Sequence, residues 1–203
     1  MTPDDAQVEK LVRGFQADLG KMTDGEVVHK HILTGIPVVV PEPAYFEIRN
    51  RVAKHFDICP TEVLIVGSCR TGFSIKDEEP YRAARIDSDI DITIVSDDLF
   101  RRYWEAVFRF YCNNHEYRSS PEYVDFAKDL ARGWIMPRSL PPMRSFTDAA
   151  RWVDFFHQLQ SRRLHGPEPR TINGKLYRSW RRLQAYQEIL VGNRRTAHTR
   201  ARR

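Results

Sequence analysis

The sequence has no long apolar run. Its longest apolar stretches, at residues 38–40 and 63–66, are as short as β-strands, whereas a membrane-spanning helix needs about 18 or more apolar residues. The residues after Met1 are polar and include no apolar signal segment. We therefore expect neither a membrane partner nor export.

Cysteine is also scarce. Cys59, Cys69 and Cys112 are the three cysteines of the 203-residue chain. Their odd number and wide spacing argue against a disulfide framework and against a zinc site. Because unpaired thiols are typical of a reducing compartment, we expect a cytoplasmic protein.

Charge is unevenly distributed along the chain. The formal net charge is +5, yet the segment from Gln160 onward holds twelve Lys or Arg against two acidic residues. A basic end suggests a polyanion partner such as RNA, DNA or nucleotide phosphate. A solvated tail is the alternative for residues 193–203, which have little apolar surface to bury.

The apolar pattern predicts an α+β fold, with a small mixed β-sheet flanked by helices. Apolar residues recur at helical spacing over residues 5–20, 45–56 and 146–164, while residues 62–66 and 86–95 read as strands. Asn173-Gly174 predicts a β-hairpin, and Gly192 predicts the end of a last helix that starts at Ser179.

These elements suggest one domain over residues 1–192. It would comprise N-terminal helices (1–56), a core (57–135) and a C-terminal helical and hairpin part (136–192). Residues 193–203 are predicted to form a basic, disordered tail.

The clearest pattern lies in the predicted strand 86–95. It alternates with period two, so isoleucines at 86, 90, 92 and 94 face one way and Asp87, Asp89, Asp91 and Thr93 face the other. Neighbouring carboxylates repel each other unless a cation bridges them, and Mg²⁺ prefers such oxygen ligands. The strand is therefore a candidate metal platform, with an edge strand whose acids face solvent as the alternative.

A glycine turn precedes this strand. Gly67-Ser68 follows the apolar residues 62–66, and Gly72 and Ser74 form a second Gly-x-Ser step. Glycine lets the backbone approach a phosphate, and hydroxyl and amide groups can bind its oxygens. The residues predicted to bind nucleotide are Gly67, Ser68, Arg70, Gly72, Ser74 and Lys76; for Lys76 a solvated side chain is the alternative.

Together, these pieces resemble the nucleotidyltransferase superfamily related to DNA polymerase beta. The resemblance covers residues 63–96 and is carried by "GS", "GFS" and "SDIDITIV". It implies a nucleotidyltransferase-like core in which Ser68 holds the phosphates of a nucleoside triphosphate. Asp89 and Asp91 would be the catalytic residues and, with Asp87, the ligands of Mg²⁺ or Mn²⁺.

The implied reaction transfers a nucleoside monophosphate, expected to be AMP, to a protein or RNA acceptor with release of pyrophosphate. Minimal members of this superfamily include antitoxins and proteins of bacterial defence loci.

Two other functions stay open from the residues alone. Active members usually carry a third carboxylate on a later strand, and the predicted strand at residues 175–178 has none. A catalytically degenerate module that binds a nucleotide or a partner is therefore one alternative. A nucleic-acid-binding protein that uses the basic C-terminus is the other.

Overall fold

A computed structural model describes residues 4–85, 88–142, 144–161 and 170–201. In chain order the elements are α1 (Asp5–Leu19), α2 (Asp24–Val28) with a π-helical continuation (His29–Leu33), α3 (Glu42–Phe56), β1 (Val63–Val66), α4 (Ser68–Thr71), β2 (Ile90–Val95), α5 (Asp97–Asn113), α6 (Pro121–Arg132), β3 (Trp134–Ile135), α7 (Thr147–Ser161), β4 (Ile172–Tyr177) and α8 (Trp180–Ala201). Short 3₁₀ turns lie at Pro60–Glu62, His115–Ser119 and Pro137–Ser139. None of the described helices is long and apolar enough to cross a membrane.

The predicted α+β class is confirmed. The described strands form a four-stranded mixed sheet in the order β1-β2-β4-β3. The β1–β2 and β3–β4 pairs are antiparallel, and β2 and β4 run parallel. A parallel neighbour requires a crossover connection, and the chain between β2 and β4 supplies it with α5, α6, β3 and α7.

The alternation in β2 determines which side of the sheet is the main core. Ile90, Ile92 and Ile94 are each at most 1% exposed, and they share one core cluster with Trp152 and Phe156 of α7. Successive strand residues point to opposite faces, so Asp91 and Thr93 lie on the other side of the sheet. Because the isoleucines pack against α7, the face of β2 that carries Asp91 is turned away from α7.

The predicted start of this strand is wrong. The strand begins at Ile90, and two residues before it the Ser88 Oγ accepts from the Arg85 amide at 2.9 Å. Ile86 and Asp87, which the prediction placed in the strand, lie outside the described residues.

The predicted hairpin at Asn173-Gly174 is also wrong. Both residues lie inside β4, where Asn173 pairs with Asp91 and Gly174 with Ile92. A Cβ added to Gly174 would lie 2.3 Å from two ring carbons of Phe156. The glycine is needed because α7 packs closely on the sheet, and the turn signal in the sequence reflects this close approach.

The basic tail differs from its prediction as well. Helix α8 continues past Gly192 to Ala201, and Arg194 is 6% exposed. Arg195 donates to Asp24 at 2.8 Å and to the Met22 carbonyl at 2.8 Å. These contacts hold the end of α8 against the N-terminal helices, so the described part of the tail, through Ala201, is helical.

The packing of Gly174 predicts a steric effect that a helix-surface glycine lacks. Gly174→Ala is expected to lower the free energy of unfolding by about 2–3 kcal/mol, because Phe156 must move out of its packed position. Gly14→Ala is the control, since nothing lies within 4 Å of a Cβ there, and it should add about 0.5–1 kcal/mol in helix α1. Urea unfolding of both variants measures the two changes, and equal effects would contradict this packing.

Candidate functional site

A cavity of about 340 Å³ opens on the sheet face opposite the isoleucines. The α4 turn, the loop 74–82, β2, β4 and α8 form its walls. The polar side chains in the wall are Ser68, Ser74, Lys76, Glu78, Glu79, Arg82, Asp91, Thr93, Asn173, Lys175, Tyr177, Tyr186 and Gln187. The wall carries side chains of both charge signs. The glycine-serine turn, predicted to bind phosphate, and the acidic face of β2 line the same cavity.

The backbone of Gly67 lies close to the carboxylate of Asp91, so the glycine turn and the acidic strand are in contact. Gly67 has φ +70°, and a Cβ built on it would lie 2.6 Å from Oδ2 of Asp91. No other residue type fits there without displacing that carboxylate. Gly67 therefore brings the backbone of the turn against Asp91, and Ser68 follows it at the start of α4.

Asp91 is a half-buried carboxylate on the floor of the cavity. Burial raises its pKa above the ordinary value; Lys76 opposes the rise, and the nearby Asp89 carboxylate adds to it. Lys175 and a hydrogen bond from Asn173 oppose the rise more weakly. No described Lys or Arg lies within ion-pair distance of Asp91. A half-buried carboxylate beside a second carboxylate favours a cation as partner.

Asp89 lies outside the cavity wall. It is exposed and directly precedes β2, but it is near enough to Asp91 to affect the pKa of that residue. Its backbone is held by the buried Cys69 thiol, which donates to the Asp89 carbonyl at 3.1 Å. Arg170, 1% exposed, donates to the adjacent Ser88 carbonyl at 2.8 Å. These contacts fix the chain that leads Asp89 into the strand.

Cys69 itself is a structural residue. Burial raises the pKa of its thiol to about 11, whereas a reactive cysteine needs a lowered pKa. The Arg170 guanidinium also donates to its sulfur at 2.7 Å. The thiol therefore stays protonated at neutral pH and serves to hold the loop before β2.

The position across from Asp91 on β4 holds an amide. Asn173 pairs with Asp91 in the parallel register, and its side chain donates a hydrogen bond to the Asp91 carboxylate. No group of three or more His, Cys, Asp or Glu side chains suited to a metal occurs among the described residues. The predicted ligand Asp87 is outside that part of the chain.

Two of the residues predicted to bind nucleotide are not in the cavity. Arg70 is 7% exposed, and its guanidinium donates to the carbonyls of Ile32 (2.9 Å) and Ile36. Gly72 ends α4 with φ +85° and packs against Leu11 and Val38. Both residues serve the packing of α4 against the N-terminal segment, and neither lines the cavity.

The remaining predicted residues line the cavity. Ser74 is buried, and its Oγ accepts from the Lys76 amide at 3.2 Å. Lys76 is exposed and lowers the pKa of Asp91 more than Lys175 does. The loop is tied to α8 because Asp77 accepts from Asn193 (3.0 Å) and from Arg194. This tie keeps Ser74 and Lys76 over the Asp91 side of the sheet.

Lys175 lines the cavity but is not among the site residues predicted from the sequence. It follows Asn173 by two positions in β4, and so it shares the face that carries Asp91 and Thr93. The period-two spacing of Asn173 and Lys175 was the available signal, but the Asn-Gly turn signal between them concealed it.

Three aromatic rings surround the ammonium group of Lys175. Its Nζ lies 3.5 Å from the ring centroid of Trp134, 4.4 Å from that of Tyr186 and 4.9 Å from that of Tyr177. Burial lowers the pKa of Lys175 from 10.5 to about 8. The rings attract the cation, yet they do not replace the oxygen acceptors that an ammonium group has in water.

Lys175→Met is expected to raise the free energy of unfolding by about 1 kcal/mol at pH 7. The folded state disfavours the charge of Lys175, so removing that charge stabilises the fold. Partial solvation of the ammonium group and the loss of its attraction to the rings make the gain smaller. Methionine keeps a favourable contact with the rings. The stability difference between the variant and the wild type should be largest below pH 8. It should shrink between pH 8 and 10.5, because over that range the wild-type lysine loses its proton in the folded state but keeps it in the unfolded state, which stabilises the wild type.

Urea unfolding at pH 7 and pH 9.5 measures this difference. Lys128→Met is the control: this exposed lysine pairs only with Asp125 on the surface of α6, so its effect should stay below about 0.5 kcal/mol at both pH values. A destabilised Lys175→Met protein at pH 7 would contradict the expectation.

Comparisons with known proteins give no match to this chain. No protein-family model, curated protein or solved structure matches it.

Proposed function

We propose that the protein is a Mg²⁺-dependent nucleotidyltransferase. It transfers a nucleoside monophosphate, expected to be AMP, from a nucleoside triphosphate to a protein or RNA acceptor. The observation that carries the proposal is the contact of Gly67 with Asp91: the Cβ position of the glycine is 2.6 Å from the carboxylate, and both residues line a cavity of about 340 Å³.

The carboxylates fit a divalent cation. Asp91 is half-buried with a raised pKa and no ion pair to a described residue, and the Asp89 carboxylate lies near it. Mg²⁺ is commonly held by one or two carboxylates together with substrate phosphates, so Asp89 and Asp91 would hold it, or Mn²⁺. The ion supplies positive charge that neutralises the triphosphate.

The phosphate side of the site has its own donors. The Ser68 hydroxyl and the turn at Gly67 lie on the wall next to Asp91, and the Lys76 ammonium group lies on the loop above it. These groups can orient the phosphate chain so that its α-phosphorus faces an incoming acceptor hydroxyl. Catalysis of this kind is mainly positioning and electrostatic stabilisation.

A nucleotide-binding module without turnover is the second candidate. Asn173 favours it, because this neutral amide pairs with Asp91 on the neighbouring strand, where a further carboxylate would strengthen metal binding. Such a module would bind Mg²⁺–nucleotide through the same cavity and release no pyrophosphate.

The basic C-terminus gives weaker support to a nucleic-acid-binding function. Arg194 pairs with Asp77 and Arg195 with Asp24, so part of the local positive charge is neutralised within the chain. Exposed arginines remain on α8 and could contact an RNA acceptor. We therefore assign this surface to the acceptor of the proposed reaction.

A reducing compartment suits the proposed enzyme. The cysteines are free thiols, with Cys59 and Cys112 exposed and Cys69 buried. Exposed thiols persist in the reduced form in the cytoplasm. We therefore propose a cytoplasmic location.

The proposal predicts pyrophosphate release that depends on Asp91. The full chain is incubated with Mg²⁺ and each of the four labelled nucleoside triphosphates, with RNA or a protein extract as acceptor. Asp91→Asn should lower the rate by about 100-fold or more, because the metal and the triphosphate lose a charged partner. Asp125→Asn, at an exposed position on α6, should leave the rate unchanged.

Two outcomes would count against transfer. Stabilisation by Mg²⁺–triphosphate, about 2.7 kcal/mol at 100 times the dissociation constant, without pyrophosphate release would favour the binding module. Absence of both release and stabilisation for all four nucleotides would contradict the nucleotide site itself.

A further inference from the structure

Lys175 brings a positive charge into the cavity, and no described residue accepts a hydrogen bond from it. Its ammonium group makes no hydrogen bond and no ion pair with a described residue; its contacts are the ring faces of Trp134, Tyr177 and Tyr186. An ammonium group has three donors, and the ring faces that shield half-buried Lys175 from part of the solvent offer none of the oxygen acceptors that a phosphate supplies. The geometry thus leaves room for an anionic ligand on this side of the cavity.

Stability alone does not account for this lysine. The rings form an apolar surface on which an uncharged side chain would pack at lower cost. Asp129 and, more weakly, Asp91 attract the ammonium group, whereas Arg138 and Arg132 repel it. None of these side chains forms an ion pair with Lys175. The position is therefore better explained by a ligand than by the fold.

The placement of Lys175 relative to the carboxylates suggests which ligand. In the parallel pair β2–β4, Asp91 is opposite Asn173 and Thr93 is opposite Lys175. Asp91 and Lys175 therefore lie on the same face of the sheet, on neighbouring strands and two residue positions apart along them. A phosphate chain that starts at a metal on Asp91 would extend along this face toward Lys175.

The charge available for metal also limits the number of ions. Asp89 and Asp91 supply two carboxylates, and Asn173 supplies a neutral amide where a further acid would add charge. Two carboxylates with phosphate oxygens are sufficient for one Mg²⁺. The other acids of the cavity wall, Glu78 and Glu79, lie on the loop 74–82 and not on the strand face that carries Asp91, and Glu79 is paired with Arg82 at 2.6 Å.

We propose that Lys175 contacts the polyphosphate of the nucleotide and takes the place of a second metal ion, so that the site works with one divalent ion. This inference rests on the proposed function and deepens it. The aromatic rings hold the ammonium group in place, and the phosphate oxygens supply its missing acceptors. The ligand is a nucleoside triphosphate, which the site distinguishes from the monophosphate by its terminal phosphates.

Calorimetry with the triphosphate and the monophosphate of the best-binding base tests the contact. Titrations are run in EDTA and in Mg²⁺ on wild type, Lys175→Met, Lys175→Arg and the surface control Lys128→Met. Lys175→Met should weaken triphosphate binding by about 10- to 100-fold in both conditions and leave monophosphate binding within about 2-fold. Lys175→Arg should retain more of the triphosphate preference, and Lys128→Met should match wild type.

The number of ions is measured separately by electron paramagnetic resonance with Mn²⁺. One ion per bound triphosphate supports the proposal, and two ions would overturn it. An equal loss of triphosphate and monophosphate binding in Lys175→Met would also overturn it, since that would indicate a general disturbance of the cavity.

The results separate this inference from the proposed function. If wild type and Lys175→Met both bind and turn over the triphosphate equally, the role of Lys175 is wrong and the nucleotidyltransferase proposal stands. If wild type binds no nucleotide with or without metal, both proposals are overturned.

Discussion

The close approach of Gly67 to the Asp91 carboxylate is the constraint on which the site depends. It needs a residue with no side chain at Gly67, which also adopts φ +70°. It also needs β1 and β2 in their antiparallel register, in which Val66 pairs with Asp91. The isoleucines of β2 hold that register, because a slip by one residue would bring Asp91 into the core. Core packing on one face of the strand thus places the charge on the other.

The C-terminal helix α8 completes the cavity, and it is held against the N-terminal helices. α8 supplies part of the wall and also holds the loop 74–82 through the pairing of Arg194 with Asp77. Its last turns are fixed in turn by Arg195, which contacts Asp24 and the carbonyls near it. The helices added to the sheet therefore determine how far Lys76 and Ser74 stand from Asp91, and a change in α8 would alter the site without touching a carboxylate.

The sequence was informative where one local rule acted alone. Period-two alternation correctly assigned the isoleucines and Asp91 to opposite faces, and a glycine turn after an apolar strand correctly indicated the bend at Gly67. Prediction from the sequence failed where tertiary packing overrode a local signal. Gly174 resembles a turn residue because Phe156 occupies the space of its side chain, and Gly192 lies within a helix that distant acids stabilise. Arg70 looked available to a phosphate, but carbonyls 34 and 38 residues away in the chain bind it. Lys175 could be recognised only once β4 was known to run beside β2.

The most direct test of the account is a crystal structure with Mg²⁺ and a non-hydrolysable nucleoside triphosphate. The account predicts a phosphate chain lying against Gly67 and Ser68, a metal ion bonded to Asp91, and the ammonium group of Lys175 within hydrogen-bonding distance of a phosphate oxygen. A nucleotide bound elsewhere on the protein, with Asp91 in contact with neither metal nor phosphate, would contradict it.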